Sequence, residues 1–194
     1  RRGIVLDEFR KLNEKERGQM KELLKSGLKD GALGFSTGLN YSHVKAAPQE
    51  EITDLVSILK KGQIYSTHLR NEEEGLYESV LETIETAKKT EAIVEISHFK
   101  SVGENNWPIF GKCLEIIEKA AENLDINFDI YPYDSTATVF YTFLPDWVAV
   151  GCRAKLVENL ENSDLRKKVI SELQGRENEF QKINLIPFIR FFQK

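Results

Sequence analysis

Short apolar runs alternate along the chain with segments whose hydrophobic residues recur every three or four positions. Met20, Leu23, Leu24 and Leu28 mark one such face ahead of the run GALGFSTG at 31–38. Ile52, Leu55, Val56 and Leu59 mark a second, shortly after Pro48, and GQIYSTHLR follows it. Leu76, Val80, Leu81, Ile84 and Ala87 lead to AIVEISHF, and Phe110, Leu114, Ile117, Ala121 and Leu124 lead to INFDIYPY. Spacings of three and four predict helices, and the short apolar runs between them predict strands.

The strand-like runs begin near Ala32, Gln63, Ala92 and Ile126, so successive starts lie 31, 29 and 34 residues apart. Strand–helix alternation at that period predicts parallel strands joined by right-handed crossovers. Nearly continuous apolar runs fit strands covered on both faces. No glycine fingerprint of the GxGxxG or GxxxxGK type follows any of them, which argues against a nucleotide-binding sheet. Polar residues gather instead where the strands end: Ser36 and Thr37, Ser66 to Arg70, Ser97 to Lys100, Tyr131 to Ser135. That is the rim on which barrel enzymes build their sites.

The expected fold is therefore α/β, a partial (β/α)8 TIM barrel of about four parallel βα units, since a whole barrel takes about 250 residues. Residues 1–175 are expected to form it, with a helical segment over Leu156 to Leu173. Residues 176–194, ending INLIPFIRFFQK, read as an atypical C-terminal tail. Four parallel strands alone leave two open edges. Either further parts of the barrel lie outside this chain, or two copies associate as a homo-oligomer to cover them.

Composition narrows the function classes. With 41% hydrophobic and 30% charged residues, the 194-residue chain is ordinary for a soluble domain. A net charge of -4 gives no reason to expect nucleic acid or an anionic membrane as partner. No apolar run approaches the roughly 20 residues of a membrane span. The opening RRGIVLDEF lacks the apolar core of a secretory leader. Cys113 and Cys152 form no CxxC pair and fit unpaired thiols in a reducing compartment. A cytoplasmic location is expected.

The candidate chemistry lies at two matched strand ends. His68 in IYSTHLR and His98 in EISHFKS are 30 residues apart, each with Ser two before and a cation two after. Adjacent parallel strands lie about 4.8 Å apart, so both imidazoles can reach one metal at about 2.0–2.1 Å. Two rim histidines bonded separately to backbone would give the same pattern, and the spacing leaves both readings open. Lys100 and Arg70 are cations of the kind that bind a carboxylate or oxyanion, or simply solvated rim charges. Tyr131 and Tyr133 are hydrogen-bond donors or packing aromatics. Asp129 is expected to make an internal hydrogen bond, Asn71 to Glu74 to form a cap and loop before the next helix, and His43 to be incidental.

Taken in order, GALGFSTGLNY, IYSTHLRNE, EISHFK, NW and DIYPY resemble the N-acyl-D-amino-acid deacylases (D-aminoacylases) of the metal-dependent amidohydrolase superfamily. The likeness runs from about Glu14 to Leu173. It implies a (β/α)8 barrel, zinc as cofactor, His68 and His98 as metal ligands, and Lys100 and Tyr131 as holders of the substrate's carboxylate or carbonyl. The implied reaction is hydrolysis of an N-acyl-D-amino acid to a carboxylate and a free D-amino acid. An aspartate of a later strand would carry the proton to the leaving amine. The family's HxH pair is absent from the 194 residues, as are its bridging ligand and that aspartate. The family's usual serine falls near Ala137, which Thr136 and Thr138 flank. The chain is thus expected to be an incomplete and inactive part of such an enzyme. Two alternatives stand beside this one: a non-catalytic half-barrel that binds or assembles, and an amidohydrolase acting on a cyclic amide.

Overall fold

The computed structural model describes residues 4, 10–133, 137–149 and 153–175. These fall into two units, one of residues 1–102 and 106–134, the other of residues 103–105 and 135–194.

The first unit opens with helix α1 (Glu14–Lys29), capped reciprocally: Asn13 Oδ1 accepts the Glu16 N–H, and the Glu16 carboxylate accepts the Asn13 N–H, both at 2.9 Å. Strand β1 (Gly34–Gly38) follows, then the short α2 (Ser42–Lys45) and α3 (Gln49–Val56). Next come β2 (Ile64–His68), α4 (Leu76–Lys88), β3 (Ile93–Ile96), α5 (Trp107–Ala121) and β4 (Ile126–Phe128). All four strands are parallel and pair in chain order, β1-β2-β3-β4. The expected alternation is present, with strands shorter than the apolar runs that announce them. At the first pairing, β1 and β2 come unusually close. A Cβ on Gly34 would collide with the Ile64 carbonyl oxygen, so a side chain there would force the two backbones apart.

Burial alternates along the central strands rather than covering both faces. Tyr65, Thr67, Val94 and Ile96 are buried against Ile52 and Val56 of α3, Leu76, Val80 and Ile84 of α4, and Cys113 and Ile117 of α5. The opposite face carries Ile64, Ser66, His68 and Glu95, all exposed or half-buried. The buried face holds its polar atoms in partnership, as a desolvated hydroxyl requires. Thr37 Oγ1 lies 2.9 Å from both Tyr65 Oη and Thr67 Oγ1. On the other face Ser66 and Ser97 share a hydrogen bond of 2.7 Å, and burial together with Asp129 pushes the Glu95 carboxyl up.

In the second unit, α6 (Asp146–Ala149), α7 (Arg153–Glu161) and α8 (Ser163–Gly175) pack around Leu144, Val148, Val169 and Leu173. The single helical segment expected over 156–173 is two helices. Asn162 divides them, because its Oδ1 accepts the N–H groups of Asp164 and Leu165 at 3.0 Å each and so caps α8. Asn159 and Trp147 tie the unit further, through Val148 O at 3.0 Å and the Glu172 carboxylate at 3.1 Å. Among the described residues no helix is long and apolar enough to cross a membrane. The expected tail, 176–194, lies outside the described residues, as does Cys152.

Candidate metal centre

Strand β2 ends on His68, and the chain leaves β3 two residues before His98. Among the described residues His98 is the one non-glycine with positive φ, at 41°. A conformation of that kind costs on the order of 1–3 kcal/mol and persists where the surroundings fix it. Here they do: the His98 N–H donates to Asp129 Oδ1 at 2.7 Å, and its carbonyl accepts from Lys100 Nζ at 3.2 Å. Asp129 thus makes the internal hydrogen bond expected of it. The turn carries the His98 ring onto His68, with centroids 4.5 Å apart and planes at 69°. Nδ1 of His68 and Nε2 of His98 face each other at 3.0 Å. On another side of His68, Tyr41 lies 5.2 Å away between centroids, and a Cβ on Gly38 would collide with the Tyr41 ring.

The residue that spacing alone does not single out is Glu72. Asn71 to Glu74 do form the loop before α4, but Glu72 turns inward and is only 7% exposed. Its Oε1 lies 2.7 Å from Lys100 Nζ and 3.2 Å from His98 Nδ1, and its Oε2 lies 3.8 Å from His68 Nε2. The loop that carries it is held at several points. Asn71 Oδ1 accepts the Glu73 N–H at 2.7 Å and the Gly75 N–H at 3.3 Å, while the Asn71 N–H donates to Ser79 Oγ at 3.0 Å. The Glu72 carbonyl accepts the Val102 N–H at 2.7 Å, joining the loops after β2 and β3. A usable signal existed in the sequence: a carboxylate four residues after a candidate ligand histidine.

Lys100 and Arg70, matched in sequence, diverge in space. Lys100 sits against Glu72 and His98, with its Nζ 5.9 Å from the centroid of Tyr131. Tyr131 is half-buried, whereas Tyr133 is 73% exposed. Arg70 turns away from the histidines. It makes a two-pronged pair with Glu82 (2.8 and 2.7 Å) and donates to the carbonyls of Lys45 and Ala47 at 2.8 and 3.1 Å. The Glu82 hydrogen bonds hold its guanidinium pKa above the ordinary arginine value. Arg70 is neither a substrate cation nor a solvated charge; it fastens β2 to the α2–α3 connection. His43 lies in α2.

Burial holds His68 below the ordinary histidine value, partly offset by the Glu72 charge. The sign for stability follows from proton binding. As pH falls through about 6.5, the unfolded chain takes up a proton that folded His68 refuses. The metal-free chain is therefore expected to lose stability as pH falls below about 6.5 until folded His68 itself protonates. Urea unfolding at a series of pH values in chelator should show this slope, and His68→Gln should flatten it.

The histidine pair fits a divalent metal on three observations. The imidazole nitrogens are 3.0 Å apart, close enough for both to reach one ion through bonds of about 2.0–2.1 Å. Ligand atoms of His68, Glu72 and His98 lie within 4.8 Å of one another. His68 Nε2 is buried with no hydrogen-bond partner, a polar atom left unsatisfied beside the pair. Soft thiolates are absent from the set, and its nitrogen and oxygen donors suit zinc and its neighbours.

Parallel βα units thus carry a histidine pair, a carboxylate and an ammonium at adjacent strand ends, the makings of a metal site on an α/β scaffold. No protein-family model matches the chain. It is, however, 34% identical over 138 residues to an N-acyl-D-aspartate deacylase, and 32% identical over 140 residues to a D-aminoacylase, both from Alcaligenes xylosoxydans xylosoxydans. Those matches cover 70% and 72% of this chain. Among solved structures, an N-acyl-D-glutamate deacylase from Bordetella bronchiseptica, complexed with zinc and a phosphonate mimic of the tetrahedral intermediate, matches with a TM-score of 0.64 at 30% identity. A D-aminoacylase structure describing a binuclear metal centre matches with a TM-score of 0.63, also at 30% identity. Each structural match covers 67% of this chain and 28% of the other. Over the matched residues the chain belongs to the D-aminoacylase family of amidohydrolases. It spans about 28% of the length of its N-acyl-D-aspartate deacylase relative.

Proposed function

We propose that this chain supplies part of the barrel, including two metal ligands and the substrate-carboxylate anchor, of a zinc-dependent N-acyl-D-amino-acid deacylase. The observation that carries the reading is the 3.0 Å approach of His68 Nδ1 to His98 Nε2 beside Lys100, in a chain related to D-aminoacylases. His68 and His98 would hold the metal, which when bound supplies Lewis acidity to polarise the scissile carbonyl and activate water. Zinc is the ion named because the Bordetella relative is complexed with it.

The chain's own residues would do the rest of the holding. An ammonium has three N–H donors. At Lys100 the Glu72 carboxylate, the His98 carbonyl and His98 Nδ1 all lie within hydrogen-bond distance of the ammonium, so the α-carboxylate of an N-acyl-D-amino acid would take the place of one of them. Tyr131, beside Lys100, would donate its hydroxyl to the same carboxylate or to the carbonyl. The two histidines alone do not make a hydrolase, which also needs a group to pass a proton to the leaving amine. The 194 residues also contain no HxH pair. The isolated chain is accordingly expected to be inactive.

Release of free D-amino acid from N-acyl-D-aspartate, N-acyl-D-glutamate and a neutral N-acyl-D-amino acid tests this. With zinc, the chain alone should give the rate of buffer. Co-expression with segments of a relative that carry the HxH strand and the catalytic-aspartate strand should raise it. Hydrolysis of a cyclic amide in preference to all three substrates would overturn the reading.

A further inference from the structure

We infer that Asp129 is a positioning residue of the metal centre: its carboxylate holds the break in strand alternation that turns His98 toward His68. The inference rests on the reading above that His68 and His98 share a metal, and adds to it a residue at the end of β4. The two histidines belong by register to opposite faces of the sheet. Thr67 pairs with Ile96, so a continued register sets His68 beside Ser97, not His98. Side chains alternate along a strand. A straight β3 would therefore send His98 to the helix-covered face with Val94 and Ile96, both fully buried. Alternation holds through Ser97, whose Oγ meets Ser66 Oγ on the open face at 2.7 Å. It fails one residue later. Phe99 takes the buried place, against Phe110 and Phe128, and the His98 ring goes to His68 instead.

Backbone hydrogen bonds locate Asp129 at that break. The Val94 N–H donates to the Asp125 carbonyl at 2.8 Å. A parallel ladder advances by two residues on each strand, which would bring the His98 N–H to the Asp129 carbonyl. The Phe99 N–H takes that carbonyl instead, at 2.8 Å and one residue late, as in a bulge. The displaced His98 N–H donates to Asp129 Oδ1 at 2.7 Å, while the Asp129 N–H still donates to the Ile96 carbonyl at 3.1 Å. Asp129 thus accepts from both donors of the bulge, one with its main chain and one with its side chain. The residue is exposed, so water would satisfy the His98 N–H in its absence. What its loss removes is the fixed direction of the His98 ring, and with it that of Lys100, whose Nζ donates to the His98 carbonyl. Groups that orient a metal ligand are worth about 10–100-fold in metal affinity.

Zinc titration of Asp129→Ala and Asp129→Asn in the whole chain, with circular dichroism to confirm folding, tests this. Asp129→Ala is expected to bind about 10–100-fold more weakly. Asp129→Asn should stay near wild type, because its amide oxygen still accepts the His98 N–H. Wild-type affinity in Asp129→Ala, or an equal loss in Asp129→Asn, overturns the role of Asp129 and leaves the shared metal standing. Zinc binding indifferent to both His68→Ala and His98→Ala overturns the shared metal instead, and with it the inference. Should Asp129→Ala not fold, proton NMR of the metal-free wild-type chain decides. A His98 amide protected from exchange, with the strong intraresidue HN–Hα Overhauser effect of positive φ, is expected; an extended His98 with a freely exchanging amide overturns the inference.

Discussion

A chain carrying His68→Ala together with His98→Ala is expected to take up no more zinc than a buffer control. That is a loss of more than about 100-fold in affinity, beyond what removal of an outer partner costs. Each single substitution should do most of this damage, because one imidazole and a carboxylate already paired to Lys100 make a poor site for a tetrahedral ion. Calorimetric titration of the two single variants and the double variant checks it. The substitutions should leave the helix content unchanged, since both rings lie at strand ends rather than in the buried cluster beneath the helices. Should both single variants keep wild-type affinity, the ion sits elsewhere.

Arg70→Met should cost about 2–4 kcal/mol of folding stability. Removing one member of a buried ion pair typically costs 3–5 kcal/mol, and here the pair is only partly buried, with side chains 25% and 16% exposed. The loss has two sources: Glu82 is left without its two-pronged partner, and the carbonyls of Lys45 and Ala47 lose their donors. Arg70→Lys should recover little, because a point charge cannot satisfy a carboxylate and two carbonyls at fixed angles. Urea denaturation midpoints at constant slope measure the change. A change within about 0.5 kcal/mol would mean that the pair behaves as an ordinary surface bridge.

Much of the architecture was legible because periodicity reports burial directly. The faces Ile52–Leu55–Val56 and Val80–Ile84–Ala87 are the faces that pack, and the run IYSTH is a strand ending on His68. The helix break at Asn162 was harder to read, since the apolar spacing continues through it and only the side-chain cap marks the change. At the site, repetition brought out His68 and His98, and position relative to them brought out Lys100. The same repetition misled for Arg70, because His-x-cation fixes where a side chain starts and not which way the chain turns next. At His98 the backbone takes φ 41°, and Lys100 comes back to the histidines; after His68 the chain carries Arg70 to the Ala47 carbonyl ahead of α3. Glu72 was hidden for the related reason that acidic residues ahead of a helix usually face water. Its burial depends on contacts with Lys100 and Val102, which are 28 and 30 residues away in sequence.

The most direct test of the central claim is X-ray absorption at the zinc edge on the chain loaded with one equivalent of metal. Two imidazole nitrogens of His68 and His98 on one ion predict two imidazole-type scatterers at about 2.0–2.1 Å, both lost in the double alanine variant. A shell of oxygen scatterers alone, or an imidazole signal that survives the double substitution, would contradict it.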